Sequence, residues 1–125
     1  MTDDLRATLA EIIDRLDGLG IAYMLVGSMA ALAHGRSRST QDFDVVIEID
    51  ADGVRDLLRS LPEERFYASE DAALEAIRQQ TQFNVIDMDT GWKADLIPRK
   101  RRDFSITEFG RRRRLDVLGS PMFVA

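Results

Sequence analysis

The chain has no cysteine, a single histidine, three prolines and no long uncharged apolar run. Each shortage removes a class of chemistry. Without cysteine there is no disulfide framework, no thiolate zinc site and no thiol nucleophile. The lone His34 has no second histidine to ligate beside it, and at the end of a small-residue stretch it is read as a helix-end or core residue. The opening MTDDLRATLAEI lacks the basic leader and apolar core of a secretory signal. Nowhere do the roughly 20 consecutive apolar residues of a membrane-spanning helix occur, so no membrane partner and a cytoplasmic location are expected.

What remains is 125 residues with 45% hydrophobic content, enough for one domain with a modest core. The net charge of −5 is unevenly spread. Residues 1–98 carry 9 Lys and Arg against 19 Asp and Glu, whereas residues 99–125 carry 8 against 3. An acidic body with a basic end suits a metal site beside a polyanion-binding surface, and it equally suits two solvated faces.

The apolar periodicity alternates between helical and extended. Leu5, Leu9, Ile12, Ile13, Leu16 and Leu19 recur at helical spacing, predicting an amphipathic helix over 3–18 that Gly18 and Gly20 end. Strands are expected over 21–26 and 43–49, the second apolar enough at Val45, Val46 and Ile47 to lie inside a sheet. Helices follow after Asp52 as cap, with Val54, Leu57, Leu58 and Leu61 inward, and after Ser69 as cap, over 70–80. Residues 82–88 and 92–97 read as a hairpin around Asp89-Thr90-Gly91, with Trp92 packing at its edge. A short helix beginning near Thr107 and strands over 115–118 and 122–124 complete the chain. The fold class expected is α/β (α+β), a small mixed sheet flanked by helices.

Residues 24–49 concentrate the chemistry. Met24-Leu25-Val26 ends a strand and Gly27-Ser28 turns the chain into a short helix over 29–34. Glycine there permits close approach of a ligand to the backbone, and the helix start and the Ser28 hydroxyl offer donors for phosphate. On the next strand Asp42 and Asp44 are two residues apart and therefore share a face. Like charges so placed repel unless a cation lies between them, and clustered carboxylate oxygens suit Mg²⁺. Lys93 and Asp95 likewise share one face of their strand and can look toward Asp42 and Asp44; a surface ion pair is the plainer reading of the two.

Gly-Ser at a strand-to-helix turn, Asp-x-Asp on the following strand and Asp95 on a later one resemble the nucleotidyltransferase superfamily that includes DNA polymerase beta. More narrowly, Arg38-x-Thr40-x-Asp42-Phe43-Asp44 resembles the Arg-x-Ser/Thr-x-Asp-x-Asp signature of AbiEii-type nucleotidyltransferases of toxin–antitoxin systems. The resemblance implies a single nucleotidyltransferase-like domain over 1–125, either minimal or shortened at its C-terminus. It implies transfer of a nucleoside monophosphate from a nucleoside triphosphate to an acceptor hydroxyl, with pyrophosphate leaving. Asp42, Asp44 and Asp95 would be the catalytic residues and the ligands of two Mg²⁺ ions, with Gly27, Ser28, Arg38, Thr40 and Lys93 binding the nucleotide. The acceptor expected is RNA, met by a rim of Arg99–Arg102 and Arg111–Arg114, in a setting that brings a toxin or antitoxin partner. A protein or small-molecule acceptor, and an inactive antitoxin or binding module, are the alternatives.

Overall fold

The computed structural model describes residues 2–27, 41–100 and 103–125. Helix α1 (Thr2–Gly18) is followed by strands β1 (Tyr23–Val26) and β2 (Asp42–Ile47). Helix α2 (Ala51–Ser60), strand β3 (Phe66–Tyr67) and helix α3 (Glu70–Gln79) lead to the hairpin of β4 (Phe83–Asp87) and β5 (Lys93–Pro98). Helix α4 (Asp103–Gly110) and strands β6 (Arg113–Val117) and β7 (Ser120–Val124) end the chain. The expected helix over 29–34, and with it Ser28, Arg38 and Thr40, lies outside the described residues.

The seven strands of the described residues join one mixed sheet in the order β3-β4-β5-β2-β1-β7-β6. The strands that carry the aspartates, β2 and β5, pair in parallel, and β1 lies antiparallel to β2 and parallel to β7. This is the mixed α and β architecture read from the sequence, with β2 interior to the sheet as its apolar run requires.

Side-chain alternation decides which face is core. Phe43, Val45 and Ile47 of β2 and Ala94 and Leu96 of β5 are fully buried. They join one cluster with Leu5, Leu9, Ile12, Ile13 and Leu16 of α1, Val54 and Leu57 of α2, and Ala73 and Ala76 of α3. Burying each large aliphatic chain contributes roughly 1.5–3 kcal/mol. Leu19 is the exception in the α1 stripe, because the chain leaves the helix before it and it stands 41% exposed.

Local chemistry sets most of the boundaries. The cap of α2 is Asp50, not Asp52: its carboxylate accepts from Gly53 N at 2.8 Å, while Asp52 sits one residue inside the helix and pairs with Arg55. Ser69 caps α3 as expected, accepting from Ala72 N at 3.1 Å. Gly91 turns the β4–β5 hairpin at φ +81°, a conformation that favours glycine. Thr107 lies inside α4, which begins four residues earlier at Asp103. Among the described residues no helix is long and apolar enough to cross a membrane.

Candidate active site

The parallel pairing of β2 with β5 puts Asp42 opposite Lys93 and Asp44 opposite Asp95. Adjacent strands lie about 4.8 Å apart and alternate residues share a face, so these four side chains form the corners of one small patch. Three corners are acidic and one is basic. Asp42 and Asp44 are half-buried, and Asp95 is 8% exposed. The structure thus brings together Asp42, Asp44, Lys93 and Asp95, which lie up to 53 residues apart in sequence.

The Asp95 corner is electrostatically unbalanced. Burial raises its pKa, the charges of Asp44 and Asp42 raise it further, and Lys93 opposes them without prevailing. Asp44 stands within hydrogen-bond reach of Asp95, a contact that two ionised carboxylates cannot satisfy without a proton or a cation. Lys93 Nζ lies 3.9 Å from Asp95 Oδ1, a charge contact too long for a hydrogen bond. Accordingly Oδ1 is buried with no hydrogen-bond partner among the described residues.

Gly27 borders the same patch, since Val26 pairs with Asp44 and the chain then turns. Its φ is +64°, and a Cβ added there would stand 3.3 Å from Asp44 Oδ2. Both the left-handed backbone and the carboxylate beside it select glycine. Among the described residues, no group of three or more His, Cys, Asp or Glu side chains is close enough to hold a metal ion by itself. The donors nevertheless fit Mg²⁺ as it is usually held, by one or two carboxylates with water and phosphate completing the shell, and the orphaned oxygen of Asp95 is a vacant donor of the right kind.

A second buried aspartate, which the sequence reading passed over, holds the hairpin in place. Asp87 ends β4 with no exposure. Arg65 donates to it from Nη2 at 2.8 Å and from Nε at 3.2 Å, Thr8 donates at 2.6 Å, and Asp89 N donates at 3.0 Å. Burial disfavours its charge, but these hydrogen bonds and the Arg65 charge outweigh it and hold the carboxyl below its ordinary range. Thr8 also shares a 2.6 Å hydrogen bond with Thr90 in the turn. Helix α1 and the turn are thereby tied together just before Lys93 and Asp95. No spacing rule could have found this cluster, because Thr8 and Asp87 are 79 residues apart.

The basic segments separate. Arg99 lies at the far end of β5, where its N–H bonds Ile47 O and its guanidinium pairs with Glu48 at 3.2 Å. Four residues of strand carry it about 13 Å from Asp95, away from the patch. Arg101 and Arg102 lie outside the described residues. Arg113, by contrast, pairs with Val124, which pairs with Leu25, which pairs with Val45. Three strand spacings put the Arg113 backbone roughly 15 Å from that of Val45, at the same end of the sheet as the carboxylates. Arg111, Arg113 and Arg114 are exposed there, whereas Arg112 stacks on Phe109 at 4.5 Å and Phe123 at 4.7 Å. A pocket of about 520 Å³ opens between Asp103, Thr107, Glu108 and Arg111 of the α4 end and Ala125, whose N–H bonds Leu25 O. Trp92 is buried and tilted against Phe43, a packing role.

No protein-family model matches the chain, and no curated protein matches it in sequence. Among solved structures it is similar to an antigenic nucleotidyltransferase-like protein from Paracoccidioides brasiliensis, at 20% identity and a TM-score of 0.62 over 98% of this chain. The chain spans 60% of that protein's length. A CCA-adding enzyme in complex with CTP matches at 16% identity and a TM-score of 0.49, over 87% of this chain and 25% of that one. The first of these shows that the fold is nucleotidyltransferase-like.

Proposed function

We propose that the protein transfers a nucleoside monophosphate from a nucleoside triphosphate to an acceptor hydroxyl and releases pyrophosphate. One observation carries the reading: Asp44 and Asp95 face each other across parallel strands, with a buried, unmatched Asp95 oxygen beside the Gly27 turn. Such a pair is costly to keep without a cation to receive. The nucleotidyltransferase-like fold supports the same chemistry by analogy.

Asp42, Asp44 and Asp95 are the residues that would hold Mg²⁺, two ions in all. When bound, Mg²⁺ supplies neutralisation of the triphosphate and polarisation of the acceptor hydroxyl. The chain's own groups do the rest. Asp95, whose burial and acidic neighbours strengthen its hold on a proton, takes the acceptor proton. The Gly27 turn lets the backbone approach the phosphates, assisted by Ser28, Arg38 and Thr40, and Lys93 offers an ammonium on the same patch.

RNA is the acceptor this reading favours, because Arg111, Arg113 and Arg114 stand exposed at the end of the sheet where the carboxylates lie. Exposed arginines bind phosphate bidentately and without sequence preference. The narrower AbiEii-like motif adds a toxin–antitoxin setting with a partner protein and a cytoplasmic site of action. Incubation with Mg²⁺, each α-labelled nucleoside triphosphate and either total RNA or total protein tests the transfer and its acceptor together. Label is expected on RNA with the wild type and on nothing with Asp44→Asn. Label on protein would move the acceptor, and no label on any acceptor would overturn the reading.

A further inference from the structure

Lys93 occupies the fourth corner of the acidic patch, opposite Asp42 and two residues before Asp95. Its contact with Asp95 is loose: 3.9 Å, without a hydrogen bond, on a side chain that remains 38% exposed. The contact between Arg65 and Asp87 in the same hairpin shows what a permanent ion pair looks like here, with two guanidinium nitrogens donating at hydrogen-bond distance. A lysine chain has a flexible stem and a compact charge, so it can leave a carboxylate for water without disturbing the strand.

We propose that Lys93 is a resident counter-ion, which offsets part of the charge at the Asp95 corner until a divalent cation arrives and is then displaced outward, toward solvent. The inference rests on the metal-dependent transfer reading and assigns Lys93 a role within it. Carboxylates sharing one patch would repel one another in the metal-free protein, and among the described residues of β2 and β5 Lys93 is the basic side chain that shares their face. A divalent ion seated on Asp44 and Asp95 would place two like charges beside the same oxygen. Lys93, partly exposed and not hydrogen-bonded to Asp95, is able to move.

The chain has two lysines, Lys93 and Lys100, so amine acylation followed by mass spectrometry reads Lys93 against an internal control. In the full chain without nucleotide, millimolar Mg²⁺ is expected to raise the acylation rate of Lys93 severalfold and leave Lys100 unchanged. Lys93→Met is expected to melt at a lower temperature in chelator and to reach half-maximal Mg²⁺ stabilisation at a severalfold lower concentration. If Mg²⁺ raises the melting temperature of the wild type while Lys93 acylation stays constant or falls, the displacement is overturned and the transfer reading stands. Unchanged or weaker Mg²⁺ binding by Lys93→Met overturns it in the same way. If Mg²⁺ stabilises neither protein, with or without a triphosphate, the metal reading fails and this inference with it.

Discussion

Asp87 and Asp95 are both buried aspartates, on antiparallel strands of one hairpin, and their surroundings are opposite. Asp87 accepts from a guanidinium, a hydroxyl and a backbone N–H. Asp95 faces Asp44 and keeps an oxygen that nothing in the described chain satisfies. Burial pushes both carboxyls toward the neutral form, yet only at Asp95 does it prevail. The lesson is that burial alone does not mark a functional carboxylate. A buried acid with all its donors in place is structural, and one that lacks them is waiting for a cation or a proton.

Breaking the satisfied side should have the largest effect on stability. Asp87→Ala leaves the Arg65 guanidinium, the Thr8 hydroxyl and the Asp89 N–H without their acceptor. Loss of one partner of a buried ion pair costs roughly 3–5 kcal/mol, and since Arg65 is a quarter exposed the lower end, about 3 kcal/mol, is expected by urea denaturation. A loss under about 1 kcal/mol would mean the cluster does not hold the hairpin.

Crowding the open side comes next. Gly27→Val forces a β-branched residue to φ +64° and presses a methyl-bearing carbon toward Asp44 Oδ2. About 1–3 kcal/mol should be lost, together with triphosphate affinity measured by calorimetry. A variant with wild-type nucleotide affinity would remove Gly27 from the site. A smaller cut at the satisfied side, Thr8→Val, deletes the hydroxyl that bonds both Asp87 and Thr90. It should cost about 1 kcal/mol in chemical denaturation and leave nucleotide affinity unchanged.

The smallest stability change and the sharpest contrast belong to Asp95→Asn. Without metal this variant should be at least as stable as the wild type at pH 7, by less than about 1 kcal/mol, while losing both transfer activity and the Mg²⁺-induced rise in melting temperature. The sign follows from linkage. Because the folded protein holds the Asp95 proton more tightly than the unfolded chain does, ionised Asp95 lowers stability above its folded pKa, and that cost disappears as pH falls through it toward about 4. Asp87 behaves oppositely: its contribution is present above about 4 and is lost only as pH drops through its depressed folded pKa. As pH falls from 7 through the raised folded pKa of Asp95, the wild type should therefore gain stability relative to Asp95→Asn. A flat or reversed difference would show that Asp95 is not the unbalanced carboxylate.

Much of this was legible in the sequence wherever periodicity or a local cap carried the signal. The α1 stripe, the β2 alternation, the Ser69 cap and the Gly91 hairpin needed only neighbouring residues to be read. The shared face of Lys93 and Asp95 followed from the two-residue period, and the strand register then set it against Asp42 and Asp44. What escaped was long-range or very short. Strand β3 has two residues, too few for any alternation. Arg65 and Thr8 meet Asp87 only because the sheet and α1 bring them there. Arg99, expected in the RNA-binding rim, stands apart from the carboxylates because an extended strand carries its two ends away from each other. Arg112 looked like one more exposed arginine until Phe109 and Phe123 were found to bracket it.

The position of β1 has a consequence for how the chain is made. One of its edges is closed by β2, about twenty residues downstream, but the other waits for β7, where Leu25 meets Val124 about 100 residues later. At a synthesis rate of about 5–20 residues per second, that edge stays open for roughly 5–20 s on every nascent chain. Tyr23, Met24, Leu25 and Val26 form a short apolar strand with unpaired N–H and C=O groups, the kind of template to which another unfinished chain can add. The strand that shields this edge of β1 is thus made about 100 residues after it, and any copy lacking β7 exposes Met24 and Leu25 along an open edge.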